Sequence, residues 1–220
     1  MKIFTFIFRK YMIQLNYIKK MGMLMGQYFT NDENLKSEYR NIIYKYKDYT
    51  FNFTSDLGVF SKDKIDFGSK VLIENYFEYG KKNKKVLDVG CGYGLIGITI
   101  SKIMSSIVDM IDVNKRAIHL TNINIKNNKT SAKAFESNVY ENVKDKYDVI
   151  ITNPPIRAGK SIYMKILEDA VEYLTDNGEL WFVMNKDHGA KTTIEKIKDV
   201  YDITVLDKCK GFYVILCKKR

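Results

Sequence analysis

The sequence predicts a single α/β domain, wound in both directions around a mostly parallel sheet, and three observations predict it. Apolar, β-branched runs of strand length alternate along the chain with stretches whose apolar residues recur at helical spacing. At Val86-Leu87-Asp88-Val89 one such run breaks into Gly90-Cys91-Gly92-Tyr93-Gly94, and helical periodicity resumes at Ile96, Ile100 and Ile103. Farther on, the apolar run Tyr147-Asp148-Val149-Ile150-Ile151-Thr152 stops at Asn153-Pro154-Pro155-Ile156, where proline can neither continue a strand nor donate to its ladder.

The 220 residues suffice for one such domain and are few for two, and the only two prolines are adjacent, so no proline-rich linker marks a boundary. The reading is an N-terminal extension over 1–25 and a domain over 26–220, the latter divided into an approach segment with a lid (26–80) and a core (81–220). The extension is apolar but broken by Arg9, Lys10, Lys19 and Lys20, too short in any one run to span a bilayer and without a signal-type cleavage site. Met21, Met23 and Met25 offer alternative starts.

In the approach segment, Tyr28-Phe29-Thr30 opens the chain's path to the core, 34–45 reads as a short helix and 48–54 as a strand in which Tyr49, Phe51 and Phe53 alternate. The turn Ser55-Asp56-Leu57-Gly58-Val59-Phe60-Ser61 follows, with Phe60 placed to cover a ligand. A helix through Leu72, Ile73, Tyr76 and Phe77 is then capped by Asp66 or Ser69. Beyond the glycine-rich turn, a strand over 107–113 carries Asp112 at its tip, Asn114 caps the next helix, and 132–135 forms a third strand leading to Asn138 and Val139. The fourth strand ends at Asn153. A basic loop, Arg157-Ala158-Gly159-Lys160, opens a helix running to Asp176-Asn177-Gly178. Strand 179–184, a helix through Ile194 and Ile197, and an edge hairpin of 203–206 with 212–217 complete the order.

The glycine-rich turn is built to receive a ligand, because glycine lets the backbone approach it and the following helix offers unpaired N–H groups. Its ligand stays open from this stretch alone: Gly90-x-Gly92-x-Gly94 suits an S-adenosylmethionine site, and Gly92-x-Gly94-x-x-Gly97 fits a dinucleotide fingerprint. Asp112, twenty positions beyond Gly92, can accept both hydroxyls of a ribose and so serves either class. Asn153-Pro154-Pro155-Ile156 decides. The Asn153 amide oxygen and the Pro154 carbonyl, read as free, are two acceptors for a planar exocyclic amine, and Pro155 with Ile156 gives a flat apolar surface for stacking. Hydride transfer has no need of this arrangement.

The net charge of +10 suits an acidic partner such as nucleic acid, yet the same Lys-, Asn-, Ile- and Tyr-rich composition follows from codon bias, so it permits phosphate contacts without proving them. Half of the excess lies in the first 25 residues, which hold Lys2, Arg9, Lys10, Lys19 and Lys20 and no acid. Cys91, Cys209 and Cys217 form no C-x-x-C pair, and His119 and His188 stand alone, so neither a zinc site nor a disulfide framework is indicated. Cys91 reads as a packing residue of the turn. The chain reads as cytoplasmic, metal-free and reduced.

With these motifs in one βα series, the chain resembles the class I S-adenosylmethionine-dependent methyltransferases. More narrowly it resembles the single-domain form of the bacterial small-subunit ribosomal RNA guanine-N2 methyltransferases, through Gly58-Val59-Phe60-Ser61, Asp66-Phe67-Gly68-Ser69, Asn153 to Gly159 and Lys186-Asp187-His188-Gly189-Ala190. The resemblance implies a three-layer, Rossmann-like fold with a seven-stranded sheet whose last strand is antiparallel. It implies S-adenosylmethionine held by Asp88, Gly90 and Gly92 at its methionine end, by Asp112 at the ribose and by Asn138 and Val139 at the adenine, with Cys91, Gly94, Val113, Asn153 and Phe60 also against the cofactor. It further implies a target amine held by Asn153 and Pro154, and ribosomal RNA or the small subunit as partner. Other acceptors compatible with an Asn-Pro-Pro turn are a release-factor glutamine and adenine N6, and a non-catalytic cofactor-binding module is the reading from another class.

Overall fold

The computed structural model describes residues 36–82 and 84–220; the extension over 1–25 and the opening of the approach segment at Tyr28 lie outside them. The described chain opens with a hairpin, β1 (Arg40–Tyr46) and β2 (Tyr49–Ser55), paired antiparallel from Arg40 opposite Ser55 to Tyr46 opposite Tyr49. This corrects the helix expected over 34–45. The residues from Asn41 to Tyr46 are β-branched or aromatic at every second position, Ile42 and Tyr44 are buried while Ile43 and Lys45 are exposed, and that period of two outweighs local helix propensity. The helix Lys115–Asn127 and its C-cap seal the hairpin's outer edge: Asn124 and Asn128 each accept from and donate to the β2 backbone, at Thr54 and Asn52 respectively, in place of a third strand.

The core follows as α1 (Phe67–Tyr79), β3 (Lys85–Val89), α2 (Leu95–Met104), β4 (Ile107–Asp112), α3 (Lys115–Asn127), β5 (Lys133–Glu136), β6 (Tyr147–Thr152), α4 (Lys160–Tyr173), β7 (Leu174–Asn185), α5 (Ala190–Ile197), β8 (Tyr201–Cys209) and β9 (Phe212–Lys219). Among the described residues, seven strands form one sheet in the order β5-β4-β3-β6-β7-β9-β8. All are parallel except β9, which runs antiparallel to both neighbours. The reversed last strand and the edge hairpin are therefore as expected. Helix α4 stops at Tyr173, short of the expected 176–178. Leu174 is buried and already pairs with Tyr147, and four residues bulge out before Glu179 pairs with Val149.

Alternate residues of each strand feed two cores. Val86, Met110, Ile151, Trp181 and Val214 face α1, α2, α3 and the hairpin, whereas Leu87, Ile111, Ile150, Phe182 and Ile215 face α4 and α5. The Trp181 ring meets Tyr76 of α1 edge-on at 5.1 Å. The chain passes from β3 outward to β4 and β5, then returns to the other side of β3 as β6, and this reversal opens a crevice at the carboxyl ends of β3 and β6.

Candidate active site

The turn after β3 and the turn after β6 meet in that crevice, around a cavity of about 380 Å³. Thr152 donates to the Val89 carbonyl at 2.8 Å, so the ends of β6 and β3 are bonded to each other, and a Cβ added at Gly90 would lie 4.0 Å from Pro155. Of the residues the sequence singles out, Phe60, Gly90, Cys91, Gly92, Asp112, Val113, Asn138, Val139, Asn153, Pro154, Pro155 and Ile156 line the cavity. Asp88 and Gly94 do not. Gly94 serves packing, since a Cβ there would approach Ile98 to 2.8 Å and Thr121 to 2.9 Å.

The glycine-rich turn is held by its surroundings through the main chain. Gly90 and Cys91 donate to the Ile111 carbonyl at 2.8 and 2.9 Å, Gly92 donates to Asp112 Oδ2 at 2.9 Å, and Thr121 and Asn124 of α3 donate to the carbonyls of Gly92 and Tyr93. Gly90 and Gly92 sit at φ of 74° and 60°, where a side chain is strained. Beneath them, Asp88 is fully buried and accepts from Gly97 N–H at 2.9 Å, while its Oδ1 has no hydrogen-bond partner among the described residues. Burial pushes the Asp88 carboxyl up to about 7, the Gly97 N–H partly offsetting it and Asp112 adding to it. Burial likewise raises Asp112 to about 6 against the N–H groups of Asn114, Gly92 and Val113. The buried Cys91 thiol is raised well above its usual value, which removes it as a nucleophile.

On the far side of β4, Asn138 donates to Glu141 at 2.9 Å, and Val139 adopts a positive φ of 51° above Ser137, whose hydroxyl donates to the Val139 carbonyl. A β-branched residue in that region is strained, a feature that concentrates at ligand-binding turns.

The Asn-Pro-Pro loop is held differently, by side chains. Asn153 Nδ2 donates to Asp66 Oδ2 and to Ser69 Oγ, both at 2.8 Å. Asp66 is at the same time the N-cap of α1, accepting from Ser69 N–H at 2.8 Å, so the expected cap is present and has a second partner. The Pro154 carbonyl, expected to be free, accepts from Ile156 N–H at 2.8 Å in a tight turn centred on Pro155, at φ −76° and ψ 75°. That inverse γ-turn leaves it one lone pair. Ile156 to Ala158 then form a 3₁₀ turn that carries the exposed Arg157 along the cavity rim.

Phe60 is 48% exposed on the cavity rim, and its segment is anchored below. The buried Asp56 pairs with Arg116 at 2.6 Å, and Asn114 donates to the Gly58 carbonyl at 3.0 Å. Burial pushes the Asp56 carboxyl up, but the Glu38 N–H and the Arg116 guanidinium outweigh it and leave it lowered. The sequence reading missed Phe212, Met184 and His188, which also line the cavity from the β7 end and the edge hairpin. Phe212 carries no local signal, because only the hairpin's pairing with β7 sets it opposite Asn185, whereas His188 lies inside the motif Lys186-Asp187-His188-Gly189-Ala190 and Met184 near the end of the strand that precedes it. Among the described residues there is no cluster of three or more His, Cys, Asp or Glu side chains able to hold a metal, and no helix long and apolar enough to cross a membrane.

Residues 50–216 match the methyltransferase small domain family. A Bacillus subtilis protein named uncharacterized protein YbxB is 42% identical over 197 residues, covering 87% of this chain and 98% of its own. The ribosomal RNA small subunit methyltransferase C of Psychromonas ingrahamii is 32% identical over 134 residues, 59% of this chain, which spans only 38% of that enzyme. The Thermus thermophilus 16S rRNA N2 G1207 methyltransferase, solved with AdoMet and guanosine, superposes with a TM-score of 0.75 at 24% identity, over 84% of this chain and 52% of its own.

The residues present fit S-adenosylmethionine. A Cβ at Gly92 would meet nothing within 4 Å, so the turn leaves room against its backbone, and the Asp112 carboxyl on the cavity wall suits the hydroxyls of a ribose. With Asn138 Nδ2 bonded to Glu141, the Asn138 oxygen is left as an acceptor for an adenine amine. A cavity of about 380 Å³ falls within the ~300–1,000 Å³ typical of small-molecule sites. The site fits S-adenosylmethionine, and the chain belongs to the methyltransferase small domain family.

Proposed function

We propose that the protein transfers a methyl group to the exocyclic N2 amine of a guanine in small-subunit ribosomal RNA. The observation that carries this reading is Asn153: its carboxamide lines the cavity beside the Gly90 turn with its nitrogen bonded away and its oxygen left as an acceptor. Guanine N2 is a poor nucleophile because its lone pair is delocalised into the ring. Asn153 Oδ1 and the remaining lone pair of the Pro154 carbonyl accept its two N–H bonds, which favours a pyramidal nitrogen and aims the lone pair into the cavity. Bound S-adenosylmethionine supplies there a methyl carbon activated by the sulfonium. The amine proton leaves to solvent after the new N–C bond forms, so no strong base is needed among the lining residues.

Ile156 and Phe60 offer apolar surface on which a flipped-out base stacks, and the exposed Arg157 and Lys186 suit the adjoining phosphates. The likeness to a named ribosomal RNA methyltransferase at 32% identity supports the substrate class. The test is transfer of labelled methyl from S-adenosylmethionine to ribosomal RNA and to small subunits, followed by nucleoside mass spectrometry. N2-methylguanosine is expected; label confined to N6-methyladenosine or to a protein glutamine would replace this acceptor with another.

A further inference from the structure

We infer that Asp66 and Ser69 are positioning residues for Asn153, fixing which end of its carboxamide faces the substrate. The inference rests on the reading of Asn153 Oδ1 as the acceptor for the target amine. A carboxamide has two ends of opposite polarity and nearly equal shape, and rotation by half a turn exchanges them. With Nδ2 toward the cavity, Asn153 would present a donor to an amine that is itself a donor, and transfer would lose its anchor.

The structure removes that choice. Asp66 Oδ2 and Ser69 Oγ take both hydrogens of Nδ2, each at 2.8 Å, so no N–H of Asn153 is left over for the cavity. Asp66 is an acceptor in either rotation of its own carboxylate, so the bond assigns the amide's orientation from chemistry and not from shape. Nor can Asp66 drift. The same Oδ2 accepts from Ser69 N–H at 2.8 Å, which locks the carboxylate onto the first turn of a 13-residue helix packed beneath the sheet through Tyr76 and Trp181. Ser69, three positions on, is 6% exposed and presents its hydroxyl to the same amide. The bond to a carboxylate also polarises the carboxamide and makes Oδ1 a better acceptor. The approach segment thus holds the reactive end of β6 by one cap residue and its neighbour in the first turn.

Exchange of the Asn153 side-chain amide protons, identified in the ¹⁵N spectrum by their loss in Asn153→Ala, reads the clamp without any substrate. In the unaltered protein these protons should exchange about tenfold more slowly than in Asp66→Ala. In single-turnover transfer, Asp66→Ala should slow the methyl step about fifty-fold and Ser69→Ala about fivefold, the loss expected of one charged and one neutral hydrogen bond, with cofactor affinity little changed. Ser69→Ala keeps the backbone N–H of the cap, so the helix start survives. Asp66→Asn keeps a shared acceptor oxygen and should restore most of the rate. Equal exchange in the unaltered protein and Asp66→Ala, or Asp66→Asn falling as far as Asp66→Ala, overturns the inference. If Asn153→Ala itself transfers normally, the reading of Asn153 as acceptor falls, while the exchange measurement still decides whether the clamp exists.

Discussion

The turn after β3 and the turn after β6 face each other across one crevice, yet they are rigid for different reasons. The first is laced to β4 and α3 by its own backbone, with Gly90, Cys91 and Gly92 all donating to residues 111 and 112. The second is fixed by proline geometry and by a single side-chain amide tied to the start of α1. The difference teaches that the turn proposed to hold the cofactor belongs to the sheet's own core, whereas the turn proposed to hold the acceptor depends on a segment that precedes the sheet in the chain. Damage to the first should appear as lost binding or stability, and damage to the second as lost turnover.

The largest separation should come from Asn153→Ala. Removing a preorganised hydrogen-bonding group at the reacting centre costs about 10²–10³ in rate, and nothing in the Gly90 turn bonds to this side chain. Transfer should therefore nearly vanish while the cofactor dissociation constant, measured by calorimetry, stays within about threefold. Loss of both together would mean that the halves are not separable.

The next test addresses the buried carboxylate under the first turn. Asp88 titrates at about 7 when folded, chiefly through burial, against about 3.9 in an unfolded chain, so between those values the native state binds more protons than the unfolded one. Its contribution to stability is full below pH 4 and is lost as pH rises through 7, by at most on the order of 4 kcal/mol. Asp56 runs the other way: its pKa is lowered, so its contribution is present above the unfolded value and lost in acid. The melting temperature of Asp88→Asn should accordingly show a shallower decline from pH 5 to 8 than the unaltered protein. Parallel profiles would remove Asp88 as the titrating group.

Two glycines of the same turn sharpen the division between packing and binding. Gly94→Ala combines a positive φ of 89° with contacts of 2.8–2.9 Å to Ile98 and Thr121, and should cost about 2–4 kcal/mol in denaturant unfolding. Gly92→Ala meets no neighbour within 4 Å and should cost only about 1 kcal/mol, its main effect being weaker cofactor binding. The reverse ranking would place the ligand on the other side of the turn.

These contrasts also explain what could be read in advance. Gly90 to Gly94 and Asn153 to Ile156 are legible because glycine and proline impose their geometry within a few residues, and Asp112 because its spacing follows from one βα unit. Asp66 and Ser69 were legible as a cap, since capping is local, but not as partners of Asn153, which lies 87 and 84 positions away. The β1 hairpin escaped for a similar reason. The alternation of Ile42, Tyr44 and Tyr46 is local, but the β2 strand it pairs with is held on its other edge by Asn124 and Asn128, 70 and 76 positions from their partners Thr54 and Asn52. The Pro154 carbonyl was misjudged because the bond that occupies it depends on the ψ of Pro155, which residue identity leaves open.

Binding and architecture overlap at Asp112. Its two oxygens accept from Gly92 and Asn114 at 2.9 Å each, and with the Val113 N–H also bonded the carboxylate retains a lone pair for a ribose hydroxyl. Asp112→Ala should weaken cofactor binding about tenfold, near 1.4 kcal/mol, since it removes a charged acceptor at the rim of a site held by many other contacts. Because this carboxyl is raised to about 6 and ribose hydroxyls donate to its ionised form, cofactor affinity should rise as pH goes from 5 to 7, and that rise should be missing in the variant. A dissociation constant indifferent both to the substitution and to pH would rule out the ribose contact and confine Asp112 to holding Gly92 in place.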